Sequence, residues 1–257
     1  MSDLFVDNLK KLLPEELQNL NITHFDVTDS TNTKAAGLIL SNIEKEGLVI
    51  ADKQISGRGR VGRTFYSPKD TGCYFSYFFT PENNLNGMEN ATTIAAVCTA
   101  MALEKLYGIE IGIKWVNDLY FNGRKVCGIL SEAITSGINR GSIIIGIGIN
   151  VSTADFPDDI KFKAGSLPYN PSVTREQIIA AVMEKLYVTT KDLNDLSYVA
   201  EYRKRSFLIG KNISFLEDGI EKAAHVDGID NTCGLMITFE DNSKRVLRNG
   251  EVSVLEN

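Results

Sequence analysis

Three arginines alternate with three glycines in one short stretch of the chain. Residues 54–65 read QISGRGRVGRTF. Glycines let backbone amide groups approach an anion closely, because they carry no side chain. Arginines add a permanent positive charge and parallel N–H donors. The stretch therefore predicts a loop that holds one or more anions through Arg58, Arg60 and Arg63.

The three glycines also match G-x-G-x-x-G, the spacing of a dinucleotide-binding loop. Such a loop needs a strand before it and a helix that opens on its third glycine. A strand is predicted before the loop, but RTFYSPKDTG follows Gly62 and does not predict a helix. Without a helix N-terminus, a pyrophosphate loses its main electrostatic anchor. The sequence argues against a dinucleotide site, and it contains no P-loop motif of the form G-x-x-x-x-G-K-[ST].

The composition is that of an ordinary globular protein, with 257 residues of which 43% are hydrophobic and 23% are charged. The net charge of -6 speaks against nonspecific nucleic-acid binding, so an RNA-binding arginine loop is the weaker alternative. The N-terminal residues lack the apolar run of a signal peptide or a membrane span. We therefore expect a cytoplasmic protein that does not bind membranes.

The cysteine and histidine patterns argue against two common kinds of site. Four cysteines are scattered without a C-x-x-C pair, which predicts free thiols in a reducing compartment rather than disulfides or zinc. Neither of the two histidines, His24 and His225, lies near a cysteine or a second histidine. A histidine-based triad or a zinc hydrolase is therefore poorly supported.

Hydrophobic periodicity predicts helices and strands along most of the chain. The predicted helices cover residues 2–20, 30–46, 88–107, 174–190 and 195–206, with Ser30 as an N-cap. The predicted strands cover residues 22–29, 47–54, 73–80, 111–121, 124–134 and 141–151. Asn122 and Gly123 predict a type I′ hairpin turn. From Gly210 onward, short strands and turns predict a small β-barrel.

Five further motifs accompany the arginine loop. They are STN at 30–32, KWVNDLY at 114–120, KVCGIL at 125–130, GIGIN at 146–150 and AGSL at 164–167. Together with GRGRVGR, they resemble the motifs of biotin–protein ligases, which attach biotin to a lysine of a carrier domain. The resemblance runs from about Ser30 to the C-terminus. Two positions depart from the family pattern, since Val116 stands where proline is usual and Phe65 where tryptophan is usual.

The resemblance implies an α+β fold related to class II aminoacyl-tRNA synthetases. A mixed sheet flanked by helices would be followed by a small SH3-like C-terminal β-barrel. The biotin- and ATP-binding catalytic domain would cover residues 1–207, and the C-terminal domain residues 208–257. Family members that repress transcription begin with a DNA-binding domain, but only about twenty residues precede the first predicted strand here. We therefore expect a ligase without DNA binding.

The resemblance also implies a set of site residues. The implied catalytic residues are Lys125, Arg58, Lys114 and Asp118. The implied biotin contacts are Ser30, Thr31, Asn32, Gln54, Gly57, Arg58, Gly59, Arg60, Lys125, Gly128, Gly146 and Gly148. The implied ATP contacts are Arg60, Arg63, Phe65, Asn117, Asp118, Lys125 and Asn150. Phe65 would stack on adenine, and Asn117 and Asp118 are the implied ligands of Mg²⁺.

The implied chemistry explains why the site needs cations. A carboxylate resists attack by an amine until it is joined to AMP, and this requires the biotin carboxylate to approach the α-phosphate of ATP. Two anions at close range repel each other strongly in a dry site unless cations are placed beforehand. Arg58 and Lys125 are the predicted cations, with Mg²⁺ on the phosphates.

The implied partner is a biotin carboxyl carrier protein or domain. The family also forms homodimers, a state that the sequence does not decide. The nearest rival is a lipoyl- or octanoyl-protein ligase of the same superfamily, and an inactive biotin-binding regulator is another. The G-R-G-R run together with K-W-x-N-D favours biotin, because a compact polar head needs more hydrogen-bond donors than a fatty chain.

Overall fold

The computed structural model of the chain describes residues 2–81, 85–135 and 141–255. The α-helices in these ranges are α1 (Ser2–Leu12), α2 (Thr31–Leu40), α3 (Ala91–Tyr107), α4 (Arg175–Thr190) and α5 (Val199–Arg205). The first strands are β1 (Ile22–Phe25), β2 (Glu46–Ala51), β3 (Gly72–Phe79), β4 (Gly112–Lys114), β5 (Asp118–Phe121), β6 (Arg124–Thr135) and β7 (Gly141–Asn150). The later strands are β8 (Asn212–Glu217), β9 (Ile220–Ile229), β10 (Leu235–Thr238), β11 (Lys244–Leu247) and β12 (Val252–Val254). None of the helices in the described ranges is long and apolar enough to cross a membrane.

The strands form two separate sheets. Seven strands lie in the order β1-β2-β3-β7-β6-β5-β4, and five lie in the order β11-β10-β9-β8-β12. The larger sheet is mixed, because β1 pairs with β2 in parallel while β2 pairs with β3 antiparallel. The smaller sheet is antiparallel. The predicted α+β fold, with a large mixed sheet and a small C-terminal sheet, is confirmed; the domain boundary after residue 207 stays a prediction.

The two faces of the large sheet are covered differently. Strand alternation sends Phe75 and Tyr77 of β3 into the main core, which α1, α3 and α4 cover. It sends Phe78 to the opposite face, where Ala35 and Ile39 of α2 pack on it. Helix α2 covers only part of this second face, and the uncovered part carries small and polar side chains. That uncovered face is the floor of the candidate site.

The turn signals in the sequence are largely confirmed. Asn122 and Gly123 both have positive φ, as a type I′ turn between β5 and β6 requires. Gly108 ends α3 in the left-handed conformation that is common for glycine at a helix C-terminus. The four cysteines are free and buried.

Three predicted helices are shorter than expected. The helix predicted over residues 2–20 ends at Leu12, because Pro14 cannot continue it, and a single 3₁₀ turn follows at Glu15–Leu17. The helix predicted to reach residue 46 ends at Leu40, because Asn42 adopts a positive φ and Ile43 N–H bonds back to the Leu38 carbonyl. Ile43 is consequently 66% exposed rather than packed on the sheet. The helix predicted from residue 195 begins only at Val199, since Asp192 and Asp195 accept hydrogen bonds from nearby backbone N–H groups and form turns instead.

The indole of Trp115 joins the two sheets. Its Nε1 donates a hydrogen bond of 2.9 Å to the carbonyl of Cys233, which lies between β9 and β10. The peptide bond between Trp115 and Val116 is cis, and the Val116 carbonyl accepts a hydrogen bond from the hydroxyl of Tyr202 on α5. Arg203 of α5 donates to the carbonyl of Ile229 at 3.0 Å. The K-W-V-N-D segment is therefore part of the contact between the two sheets as well as of the candidate site.

A partly buried ion cluster joins the start of α4 to the end of β2. Asp52 lies 2.8 Å from the guanidinium of Arg175 and 3.1 Å from Nε2 of His24. Burial alone would raise the pKa of Asp52, but the hydrogen bonds from Arg175 and His24 outweigh it and hold the pKa below its usual range. Asp52 is therefore a charged acceptor that Arg175 stabilises.

Replacing Trp115 with Phe removes the Nε1–H donor and leaves the Cys233 carbonyl without this partner. We expect a loss of about 1–3 kcal/mol in the free energy of unfolding, because a buried acceptor left unpaired retains its desolvation cost. Urea denaturation followed by circular dichroism measures it. Tyr169→Phe, at a position 87% exposed, is the control and should change stability by less than about 0.5 kcal/mol. Equal stabilities of Trp115→Phe and the wild type would refute this role of the indole.

Replacing Arg175 with Gln should destabilise the protein in a pH-dependent way. Because the folded pKa of Asp52 is lowered, its stabilising contribution is present above its unfolded pKa and is lost as pH falls through the folded pKa. The variant should lose about 3 kcal/mol at pH 7, and this loss should shrink toward about pH 3. Urea titrations at several pH values test this, with Lys161→Gln at an exposed ion pair as the control. A loss that is constant with pH would contradict the assignment.

Candidate active site

The floor of the cleft is built from paired residues on three neighbouring strands. Gly148 of β7 lies between Tyr74 of β3 and Gly128 of β6 in the strand register. Two residues earlier on β7, Gly146 lies between Ser76 of β3 and Leu130 of β6. Side chains of one strand alternate between faces, so these positions share one face. Glycines at three of them form the floor of a narrow cleft, because they let other side chains approach the sheet closely.

A connected polar network lines one end of this cleft. The Thr31 N–H donates to Oε1 of Gln54 at 2.8 Å, and the Gln54 amide donates to the hydroxyl of Ser67 at 2.9 Å. The Ser76 hydroxyl lies 2.7 Å from the Thr31 hydroxyl and 2.6 Å from Oδ1 of Asn32. Ser76 is fully buried in an aromatic strand. The predicted STN and Gln54 side chains are thus brought together.

Ser30 precedes α2 at its N-cap position, as predicted, but its side chain makes no capping hydrogen bond. It is 3% exposed and lines the cleft beside Thr31 and Asn32. The start of α2 therefore positions the Ser30 hydroxyl at the cleft, and this hydroxyl does not cap the helix.

Glu132 of β6 lies beside the network and was not predicted. Its Oε2 accepts a hydrogen bond from Nδ2 of Asn32 at 2.8 Å, and its Oε1 lies 2.6 Å from the guanidinium of Arg58. The strand register pairs Glu132 with Ile144, on the same face as the cleft glycines. Ser76 was missed as well. Both had a sequence signal, since each is a polar residue at a cleft-facing position of a predicted strand.

The arginine loop folds back on itself. The Phe65 N–H donates to the Gly57 carbonyl at 2.8 Å, and the Gly59 N–H donates to the Arg63 carbonyl at 2.7 Å. A Cβ atom on Gly57 would lie 2.3 Å from the Phe65 carbonyl oxygen, so only glycine fits there. A single 3₁₀ turn at Arg60–Gly62 is followed by extended backbone. No helix opens on the third glycine, which agrees with the argument against a dinucleotide site.

Phe65 covers two of the cleft glycines. A Cβ atom would lie 2.5 Å from its ring at Gly148 and 3.1 Å from it at Gly128. The ring also meets Tyr74 edge-on, with 6.5 Å between the ring centroids. Phe65 therefore lies on the sheet over the glycines, and its stacking on adenine stays a prediction.

Lys125 and Asp118 form an ion pair next to Phe65. Nζ of Lys125 is 2.7 Å from Oδ1 of Asp118 and 5.9 Å from the centroid of the Phe65 ring. The hairpin at Asn122 and Gly123 brings these two residues onto neighbouring strands, as predicted. Both side chains are partly exposed at the cleft, so the ammonium can exchange its carboxylate partner for another anion.

Lys114 and the outer part of the loop complete the cationic set. Burial lowers the pKa of the Lys114 ammonium, although the charge of Asp118 nearby favours protonation. Arg60 Nη1 lies 3.4 Å from Oδ1 of Asn117. Arg63 lies 2.8 Å from Glu251, which precedes β12 of the smaller sheet. Each loop arginine therefore has its own acceptor.

Asn150 lies at the end of β7, beneath the surface. Its Nδ2 donates to the carbonyl of Gly165 at 3.0 Å, which fixes the A-G-S-L segment against the sheet. Its Oδ1 is buried and has no hydrogen-bond partner among the residues that the structure describes. Asn150 is thus an anchor of residues 164–167, with one acceptor still available.

Metal-binding groups are limited in the described part of the chain. The carboxylates of Asp26 and Asp52 and the ring of His24 lie within 4.8 Å of one another, but Arg175 already neutralises Asp52. Such a guanidinium opposes a second cation. Asn117 and Asp118, the predicted Mg²⁺ ligands, offer oxygen atoms of the kind that Mg²⁺ prefers, and each oxygen faces a cationic side chain.

Comparison with known proteins agrees with this geometry. The model of the biotin/lipoate A/B protein ligase family matches residues 24–150. The bifunctional ligase/repressor BirA of Bacillus subtilis is 39% identical over 157 residues, which are 60% of this chain and 48% of that protein. The biotin–[acetyl-CoA-carboxylase] ligase of Paracoccus denitrificans is 33% identical over 143 residues, which are 55% of this chain and 58% of that protein. The chain thus spans about half the length of these relatives.

The fold is also that of a solved structure. The biotin protein ligase from Aquifex aeolicus, in complex with biotin and ATP, superimposes with a TM-score of 0.76 at 24% identity, covering 92% of this chain and 99% of that one. This likeness supports the shared fold. The resemblance seen in the motifs is confirmed, because residues 24–150 match the model of the biotin/lipoate A/B protein ligase family.

Proposed function

We propose that the chain is an ATP-dependent ligase that activates biotin as biotinyl-5′-AMP and transfers the biotinyl group to a lysine of a biotin carboxyl carrier domain. The observation that carries this proposal is one cleft with two unlike ends. Thr31, Asn32 and Gln54 supply hydrogen-bonding groups at one end, and Lys125 supplies positive charge at the other. Arg58 lies beside the polar end, where it pairs with Glu132. A ligand with a polar head and an anionic tail matches this arrangement.

The polar end favours biotin over a lipoyl or octanoyl chain. The amide of Asn32 and the hydroxyls of Thr31 and Ser76 are buried, and the Ser76 hydroxyl lies within hydrogen-bond distance of the other two groups. A ureido group presents both donors and an acceptor to such a set. A fatty chain would place apolar surface against this polar network and would make no hydrogen bond to it.

Activation requires a carboxylate oxygen of biotin to attack the α-phosphorus of ATP while the bond to pyrophosphate breaks. Arg58 and Lys125 neutralise the two anions as they approach, and Arg60 and Arg63 favour the triphosphate. In the free protein Lys125 is paired with Asp118 and Arg58 with Glu132. Substrate anions would replace these carboxylates, so the cations remain paired throughout.

ATP enters as its Mg²⁺ complex, in which the metal ion neutralises the phosphates. Asn117 and Asp118 are the proposed protein contacts of this ion. Their oxygens face Arg60 and Lys125, and they become available when those two side chains turn to the phosphates. In this proposal the ring of Phe65 stacks on adenine, and Asn150 contacts the adenylate.

Transfer is the attack of the neutral amine of the carrier lysine on the acyl carbon, with cleavage of the bond to AMP and loss of one proton. Asp118 is the proposed acceptor of that proton, since it lies in the cleft next to Lys125. The loop at residues 55–72 would cover the adenylate and exclude water, which otherwise hydrolyses the mixed anhydride. We assign the reaction to the cytoplasm, because the four cysteines are free thiols.

The proposal is tested by incubating the protein with Mg-ATP, a biotin carrier domain and either biotin or lipoate. We expect the carrier to gain the mass of one biotinyl group and to remain unmodified with lipoate, as measured by mass spectrometry. A carrier whose target lysine is replaced by arginine is the control. Modification with lipoate alone would favour the rival ligase. Biotin binding without modification would favour an inactive regulator.

Replacing Lys125 with Ala should reduce biotin-dependent release of pyrophosphate by about 100-fold or more, because the repulsion between the carboxylate and the α-phosphate loses a cation. Lys161→Ala is the matched control, since Lys161 also pairs with an aspartate, at 2.9 Å, but on an exposed turn. Circular dichroism checks that both variants fold. Normal pyrophosphate release by Lys125→Ala would refute the bridging role of the ammonium.

A further inference from the structure

One carboxylate lies at the polar end of the cleft and binds an arginine that is proposed to receive the anionic tail of the substrate. Glu132 is on the cleft face of β6, two residues beyond Leu130, and its side chain is only 24% exposed. An acid at this position would repel a substrate carboxylate unless its own charge is engaged. It is engaged on both oxygens, by Arg58 at 2.6 Å and by Asn32 at 2.8 Å.

The contact with Asn32 decides which way that amide points. Nδ2 of Asn32 donates to Glu132 and to the carbonyl of Leu130, at 3.3 Å. Both partners are acceptors only, so the amide nitrogen must face them. Oδ1 is thereby directed to the Ser76 hydroxyl and over Gly146, where a Cβ atom would lie 2.0 Å from it. Glu132, at the shorter of the two distances, and the Leu130 carbonyl therefore together orient the Asn32 amide.

The contact with Arg58 connects this amide to the arginine loop. A continuous series of polar contacts runs through Gln54, Thr31, Ser76, Asn32, Glu132 and Arg58. Glu132 is the member that joins the buried head-group end to the exposed loop. Arg58 is 48% exposed, so its guanidinium can turn away while Glu132 stays on Asn32.

We propose that Glu132 is a positioning residue with two separable effects. One oxygen holds the Asn32 amide in the orientation that binds the polar head of the substrate. The other holds the Arg58 guanidinium in the free protein and gives it up to the carboxylate of the substrate. This inference rests on the proposed biotin-ligase function. On binding, the carboxylate of the substrate would replace that of Glu132 as the partner of Arg58.

The two effects are separated by two variants and two ligands. Biotinol carries CH₂OH in place of the carboxylate of biotin and so probes the head group alone. Glu132→Gln keeps a carbonyl oxygen for Asn32 but removes the competing charge. We expect its dissociation constant for biotin to fall by about threefold to fivefold and that for biotinol to stay within about twofold, measured by calorimetry on the full chain. Glu132→Ala also removes the acceptor of Asn32 and should weaken both ligands by about tenfold.

Glu217→Gln is the matched control, because Glu217 is an ion-paired glutamate of the smaller sheet, away from the cleft. It should change neither dissociation constant. The inference is overturned if Glu132→Gln leaves the ratio of the two constants at its wild-type value, as a purely structural glutamate would. A wild-type protein that neither binds biotin nor modifies the carrier overturns the proposed function too. Normal carrier modification with an unchanged ratio overturns the role of Glu132 alone.

Discussion

The candidate site depends on holding several positive charges close together in a protein that has not yet bound its anions. Arg58, Arg63 and Lys125 each face a carboxylate within 2.8 Å, and Arg60 faces an amide oxygen. Without such partners, the cations would repel one another and the loop would be driven away from the sheet. The acids beside the cleft therefore belong to the site as much as the arginines do, because they keep the cations in place until another anion replaces them.

The sheet provides the space in which that exchange takes place. Gly128, Gly146 and Gly148 face the cleft from adjacent strands, and the register of β3, β7 and β6 aligns them with Ser76 and Tyr74. The ring of Phe65 and the amide of Asn32 approach closer to these glycines than any side chain would permit. The same strands bury Phe75 and Ile145 on the other face, so the rigid core lies directly beneath the cleft.

The smaller sheet is connected to the same site. Trp115 donates to the Cys233 carbonyl, and Arg63 of the loop pairs with Glu251. The segment that carries Asn117 and Asp118 thus lies between the cleft and this sheet. The family model that matches residues 24–150 covers the cleft strands and the loop. Cys233 and Glu251 lie outside the matched residues.

The resemblance of the motifs to a known family implied the α+β fold class. The residue pattern alone determined the order of most elements and the hairpin at Asn122 and Gly123. These features depend on local pattern, since periodicity, turn residues and glycine spacing act within a few neighbours. Helix ends were less predictable, because Asn42 ends α2 through a positive φ that side-chain type permits but does not require.

Only the tertiary structure decided how the predicted side chains are paired. Nothing in the sequence joins Asn32 to Glu132 across 100 residues, Arg63 to Glu251, or Phe65 to the glycines of two strands. Such contacts follow from strand register and loop path, which the packing of the whole sheet selects. The types of residue at the site were therefore readable in the sequence, whereas their partners were set by the fold.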